Sequence, residues 1–490
     1  MHGLDWGVVL LYAAILFGIA TISSRRQTGT EEYFRGSRRL PWWAIGISII
    51  ATAFSAASLL GGPGEGFTHG LLWLQLQLGD LIGYALVCLL FIPLFVRLDV
   101  TTAYEYLEHR FDAKTRSLGA SCFILFVFVR LGALLYGAAL VVAEVASVSL
   151  DAAIIAVGVV AILYTVVGGI AAVIWTDVLQ FCMVLLGVGA CLWVVAHSVE
   201  GGLGSIVATA ADADRWRLLD LTWNPGSIRA LPTALIAYGM LAFAVAGTNQ
   251  QSVQRYVSCP DTRAAQKAAM LAWLTGAVGV AATLLLGVFL FGFYASAGHE
   301  LPADVKPDRI LPLFIANELP VGLAGLLVAA VFAAAMSSID SALHSLSTSM
   351  VVDFYRRHFN RDEEESHYLR VARGLVVACG AVGIAAAFYV ARTGQSLLPF
   401  LATYTAYFVG PVLGLFLLGV FVPRAHGGAA FWGALVSAAA VVVIANLDAW
   451  DLPGIWFTAT SAPLTFLIGF VLSRLSRVAE EPRSRAVPER

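Results

Sequence analysis

The sequence predicts an all-α integral membrane protein of about thirteen transmembrane helices, and three observations lead there. Of its 490 residues, 59% are hydrophobic and only 13% charged, with a mean hydropathy of +0.81. Apolar runs of about 20 residues, the length that crosses a bilayer core, recur along the chain. Lysine and arginine collect in alternate connecting segments. A soluble chain of this size would need more charge to cover its cores, and the alternating strands of a membrane barrel are not visible.

The first run, 5–24, has no basic flank before it and no cleavage-like exit, so it is expected to stay as an extra helix rather than leave as a signal peptide. Five spans follow at 44–62, 71–97, 117–147, 151–167 and 170–197. A second five lie at 230–250, 266–295, 322–352, 369–392 and 396–422, and two more close the chain at 428–446 and 455–476. The expected organisation is one transmembrane domain, 1–476, containing five-helix units 44–197 and 230–422 with extra helices 5–24 and 428–476. Residues 477–490, rich in arginine and proline, read as a disordered cytoplasmic tail.

With the N-terminus outside, 23 of the 30 basic residues are assigned to cytoplasmic segments, Arg255 to Lys267 among them, six to external ones, and the one that remains, Arg130, falls inside a span. That bias argues for an external N-terminus, an internal C-terminus and an odd number of helices in the plasma (inner) membrane.

The net charge of −2 identifies no partner, because charge in such a protein is sorted between loops. Nothing points to nucleic acid, and no obligatory protein partner is evident. The six cysteines are scattered without paired or metal-type spacing and read as small core residues. There is no nucleophile with its base, no phosphate loop and no metal-ligand pattern, so the chain does not read as an enzyme.

Two spans are interrupted at corresponding places. The second has a polar knot at Thr52, Ser55 and Ser58 before a Gly-Pro-Gly exit; the seventh has Gly247 followed by Thr248, Asn249 and Gln250. The two lie five spans apart and therefore run in opposite directions, as expected of two five-helix units related by an inverted repeat.

The stretch AAAMSSIDSALHSLSTSM, 333–350, is rich in hydroxyls within an otherwise apolar region. At about 100° per residue, Ala334, Ser337, Ser338, Ser341 and Ser345 share one helix face, with Asp340 a step to its side. An isolated serine can bond back to its own helix. A whole stripe beside an intramembrane carboxylate points instead to a cavity, a partner or an ion.

Hydroxyl and carbonyl oxygens with at most one carboxylate suit a monovalent cation, sodium being the natural candidate. Magnesium or calcium would require more carboxylates at one place. Protons carried on Asp340 or Asp177 remain a second choice, although they would not require the serines.

The chain resembles the sodium:solute symporter family, whose members have the LeuT fold. The resemblance runs over nearly the whole sequence. It rests on TAYEYLEHRF (102–111), YTVVGGIAAVIWTDVLQF (164–181), NQQSVQRYVSC (249–259), AAAMSSIDSALHSLSTSMVVDFY (333–355) and GPVLGLFLLGVFVP (410–423). The similarity is nearest to carriers of sialic acid and to those of iodide, monocarboxylates and vitamins.

What the resemblance implies is a sodium ion held by backbone oxygens of Ala51, Phe54 and Ala334 and the hydroxyls of Ser337 and Ser338. It also implies a possible second sodium at Asp177 with Ser337, Asp340 and Ser341. Asp340 departs from the family pattern, which usually has a small hydroxyl or neutral residue there. Asp177 has a plainer reading as a membrane-edge carboxylate near a helix start.

Arg130 lies midway along the fourth span, too deep to snorkel. It forms either an internal ion pair, with Asp80 or Glu144, or a fork for a substrate carboxylate. The resemblance favours the fork and adds Ser55, Ser58 and Gln77 as polar solute contacts, with Asp80 as partner for an amino group or for the empty arginine. Ala53 stands where a hydroxyl would be expected. Thr403, Tyr404, Thr405, Tyr407, Tyr136 and Phe243 are candidates for cavity or gate, and His344 reads as a satisfied interior histidine. The expected activity is sodium-coupled symport of a small anionic or zwitterionic solute, sialic acid or a monocarboxylate first. A proline-like amino acid, an inorganic anion or a sugar, proton coupling, and a passive channel or transport-like sensor are the alternatives.

Overall fold

The computed structural model describes residues 2–24, 30–146, 148–199, 201–295, 301, 305–393, 397–446 and 452–475. The tail expected at 477–490 lies outside the described residues. Among these residues the ordered elements are helices, and no strand occurs. Among the described residues ten helices are long and apolar enough to cross a membrane. A bent pair and two shorter apolar helices, Leu150–Val166 and Thr233–Thr248, add to them, and each falls on one of the predicted spans.

Helix α1 (Gly3–Ser24) is held at its start, where the Asp5 carboxylate accepts the Gly322 and Gly325 amides at 2.7 and 3.0 Å. The short α2 (Thr30–Arg35) leads to α3 (Trp42–Ala53) and α4 (Ala56–His69). These two are separated at Phe54 (ψ 85°) and Ser55 (ψ 175°), and their axes bend by 68°. This is the break expected from the Thr52, Ser55 and Ser58 knot.

Helix α5 (Leu76–Leu86) runs through a wider turn into α6 (Ile92–Leu98). Then come α7 (Glu105–Arg110), the 34-residue α8 (Ala113–Ala146) and α9 (Leu150–Ser198). The fifth and sixth predicted spans are the two helical halves of α9, Leu150–Val166 and Gly169–Ser198, which meet at a kink at Gly169. Gly169 has φ 60° and ψ −179°, a region open essentially to glycine. Gly169→Ala is therefore expected to cost about 1–3 kcal/mol, checked by the thermal midpoint of the purified protein.

After α10 (Gly202–Asp212), a wide-turned stretch at Thr233–Tyr238 enters α11 (Gly239–Thr248), which stops at Asn249. The Asn249 side chain accepts the Gln251 amide at 2.9 Å and so starts a new helix, α12 (Gln250–Val257). The second interruption thus has a local cause in the capping preference of asparagine.

The remaining helices are α13 (Thr262–Ala295), α14 (Ile310–Asn317), α15 (Leu323–Ser349), α16 (Glu365–Thr393), α17 (Leu397–Phe421), α18 (Gly427–Ala445) and α19 (Trp456–Leu475). Helix α15 is the centre of the molecule. It packs on α1, α3, α8, α9 and α16 and is buried along nearly all its length, whereas α1 leaves Leu4, Leu10, Leu11 and Ile22 exposed. The polar face of α15 therefore meets protein rather than hydrocarbon, which removes the main cost of its hydroxyls.

Candidate ion and solute site

Ala51 and Thr52 lie in the last turn of α3, where carbonyls have no following turn to bond. Helix α15 supplies the missing donors. Ser337 Oγ donates to the Ala51 carbonyl at 2.9 Å, and Ser338 Oγ to the Thr52 carbonyl at 2.9 Å. The same hydroxyls stand 3.1 and 3.5 Å from the Ala334 carbonyl.

Four of the five expected first-ion residues, Ala51, Ala334, Ser337 and Ser338, are thus within hydrogen-bond reach of one another. All four are buried. The fifth, Phe54, sits at the break itself with its ring against Gly279 of α13; among the described residues no donor reaches its carbonyl. This set of neutral oxygens has the chemistry of an alkali-ion site. Among the described residues no cluster of three or more His, Cys, Asp or Glu suited to another metal occurs.

A second polar knot lies on the neighbouring turn and is built around a residue the sequence reading placed elsewhere. Arg255, counted with the cytoplasmic segments, is only 1% exposed. The helix breaks at Asn249, and α12 carries the guanidinium to four acceptors. Arg255 Nη2 reaches Asp177 Oδ2 at 2.9 Å and Ser341 Oγ at 2.6 Å, Nε reaches Ser48 Oγ at 2.7 Å, and Nη1 reaches the Gln251 carbonyl at 2.8 Å.

Asp177 is fully buried on α9 and also accepts from Ser48 at 2.5 Å, so it is not a membrane-edge carboxylate held by a helix dipole. Asp340 Oδ1 accepts the Ser341 amide at 2.6 Å, and the Tyr164 hydroxyl stands beside the same carboxyl. Asp177, Asp340 and Ser341 are therefore brought into one network. Asp177 Oδ1 and Asp340 Oδ2 are buried in it without a hydrogen-bond partner among the described residues.

Arg130, half-buried on α8, donates from Nη2 to the Thr52 carbonyl at 3.2 Å and from Nη1 to Gln251 Oε1 at 3.3 Å. Among the described residues no carboxylate lies within 4.0 Å of it. The Glu144 side chain is outside those described. Asp80 is not its ion-pair partner, for the two side chains are not within 4.0 Å.

Ser55 is buried at the break in the α3–α4 span, and Ser58 opens α4, its amide bonded to the Ser55 carbonyl at 2.9 Å. Gln77 is buried on α5 with its carbonyl accepting from Trp273 at 3.0 Å. Among the described residues no hydrogen bond or ion pair joins Gln77 or Asp80 to Arg130. The structure thus gathers Arg130 with the α3–α4 break and with Gln251.

Of the other candidates, Phe243 stacks on Phe91 with centroids 5.0 Å apart, and Tyr407 stacks on Phe457 at 5.5 Å, both packing contacts. Tyr404 is edge-on to Tyr407, Tyr136 is packed against the core, and Thr405 is half-buried. The Thr403 side chain lies outside those described. His344 is an interior residue, with Nε2 3.0 Å from the Tyr33 carbonyl and Nδ1 3.2 Å from Gln254 Nε2. The residues missed by sequence reasoning are Ser48, Gln251 and Arg255. Gln251 and Arg255 stand four apart in NQQSVQRY, one turn of one helix face, which was the available signal.

The neutral oxygens thus lie between an interrupted helix and a serine-lined one, next to Arg130. The chain is 31% identical over 449 residues to the sodium/sialic acid symporter SiaT of Proteus mirabilis, covering 90% of this chain and 89% of that one. It is 29% identical over 479 residues to the sodium/sialic acid symporter NanT of Aliivibrio fischeri, covering 96% and 92%. A solved substrate-bound, outward-open Na+-coupled sialic acid symporter superposes with a TM-score of 0.86 at 29% identity, over 97% of this chain and 98% of that one. Residues 33–437 match the family model described as the sodium:solute symporter family, and with the helical architecture and the broken spans in agreement, the chain belongs to that family.

Proposed function

We propose that the protein is a sodium-coupled secondary active symporter that imports a small carboxylate, sialic acid or a monocarboxylate, by alternating access. The observation that carries this reading is the position of Arg130. Its guanidinium lies beside the α3–α4 break, engaged among the described residues by neutral oxygens, on the carbonyl that Ser338 also holds. A carboxylate would offer it two parallel charge-assisted bonds in place of two long neutral ones. Ser55 and Ser58 stand at the same break to meet the rest of the solute.

Sodium at Ala51, Phe54, Ala334, Ser337 and Ser338 would tie α3 to α15 and shape the neighbouring pocket. By reciprocal linkage the solute then raises sodium affinity. The unpartnered oxygens of Asp177 and Asp340 support a second cation at Asp177, Asp340 and Ser341. With the N-terminus outside and the C-terminus inside, the membrane potential contributes about 2.3 kcal/mol per charge for each 100 mV.

The test is uptake into proteoliposomes under an imposed sodium gradient, comparing N-acetylneuraminate, short monocarboxylates, amino acids, iodide and sugars. Accumulation of a carboxylate against its gradient is expected. Arg130→Ala is expected to lower affinity for that carboxylate by about tenfold or more, measured by binding at saturating sodium. Saturable transport of a neutral sugar with no response to any anion would end the carboxylate reading. Uptake that survives sodium removal and follows an acid pulse would replace sodium with protons.

A further inference from the structure

Among the described residues the Thr52 carbonyl is the acceptor common to the two halves of the site. It takes the Ser338 hydroxyl at 2.9 Å and the Arg130 guanidinium at 3.2 Å. A carbonyl oxygen has two lone pairs. With both engaged, it has none to turn toward a cation, although it stands in the same turn as Ala51, at the carbonyl end of α3.

We infer that Thr52 is the coupling element between solute and ion: without solute, Arg130 rests on its carbonyl, and a solute carboxylate draws the guanidinium away and frees that oxygen for sodium. This rests on the reading of the ion cage and the carboxylate fork given above, and adds Thr52 to the oxygens that meet the ion.

The geometry favours the exchange. The two bonds of Arg130, 3.2 Å to Thr52 and 3.3 Å to Gln251, are long for a charged donor. Bonds between a guanidinium and a carboxylate settle near 2.7–2.9 Å and are about twice as strong as neutral ones. The resting contacts are therefore readily given up. The Ser338 bond, at ordinary length and to a neutral donor, stays in place and holds the end of α3 against α15. The carboxylate also cancels the positive charge next to the ion, an effect of the same sign.

This assignment makes an expectation that simple solute recognition by Arg130 does not. Sodium affinity should rise, with no solute present, when Arg130 is removed. Sodium is titrated into the purified full-length protein at constant ionic strength, with choline as replacement, and read by tryptophan fluorescence and by thermal shift. Arg130→Ala is expected to bind sodium more tightly than the wild type, on the order of tenfold, the worth of a competing charged hydrogen bond. Arg130→Lys keeps the charge but lacks the reach, and is expected to shift the same way. Arg130→Gln serves the same comparison if the alanine variant does not fold.

Sodium affinity that is unchanged or weaker in the neutral variants overturns the inference. So does a gain in Arg130→Ala with none in Arg130→Lys, since the charge alone would then account for it. A wild type with no sodium response, yet with solute binding, removes the ion cage itself and the proposed sodium coupling with it, a failure distinct from these.

Discussion

Arg255→Ala is expected to destabilise the folded protein by about 3–5 kcal/mol, the usual cost of removing one partner from a buried ion pair. The guanidinium satisfies Asp177, Ser341, Ser48 and the Gln251 carbonyl together, and so joins α9, α15, α3 and α12. Alanine would leave Asp177 in a site from which water is excluded, with Ser48 as its remaining donor. The check is the thermal midpoint in detergent solution. Adding Asp177→Asn to the variant should recover part of the loss, because the unpaired charge goes with it. A single variant as stable as the wild type would show that the guanidinium has no structural role at this junction.

Ser338→Ala is expected to weaken sodium binding by about tenfold or more, while solute affinity at saturating sodium changes little. The substitution removes one oxygen of the cage and also the donor that holds the Thr52 carbonyl, so the end of α3 loses its tie to α15. Ser337→Ala removes the matching tie at Ala51 and should act in the same direction. The measurement is solute binding as a function of sodium concentration. If both variants keep the wild-type sodium dependence, the serine pair is a packing feature and the ion lies elsewhere.

Much of this was legible in the chain. The Thr52, Ser55 and Ser58 knot and the run from Gly247 to Gln250 marked both helix breaks, because breaks arise from local preferences: asparagine caps and starts α12, and the polar knot leaves α3 without a following turn. The face shared by Ala334, Ser337 and Ser338 followed from helical periodicity alone. Arg255 was misplaced because a charge just beyond an apolar run normally belongs to a loop. Only the helix break at Asn249 and a carboxylate 78 positions away make it interior. Asp80 and Gln77 were grouped with Arg130 by resemblance, and among the described residues neither is hydrogen-bonded or ion-paired to it.

Hydropathy, helical period and capping chemistry are properties of neighbouring residues, so the sequence by itself determined the spans, their interruptions and the hydroxyl stripe. Which oxygens those hydroxyls meet was decided only by the tertiary structure, for Ser338 and Thr52 are 286 positions apart. The same holds for the sharing of one carbonyl between Ser338 and Arg130. Such a junction exists only where three separately encoded helices cross, and no local rule specifies a crossing.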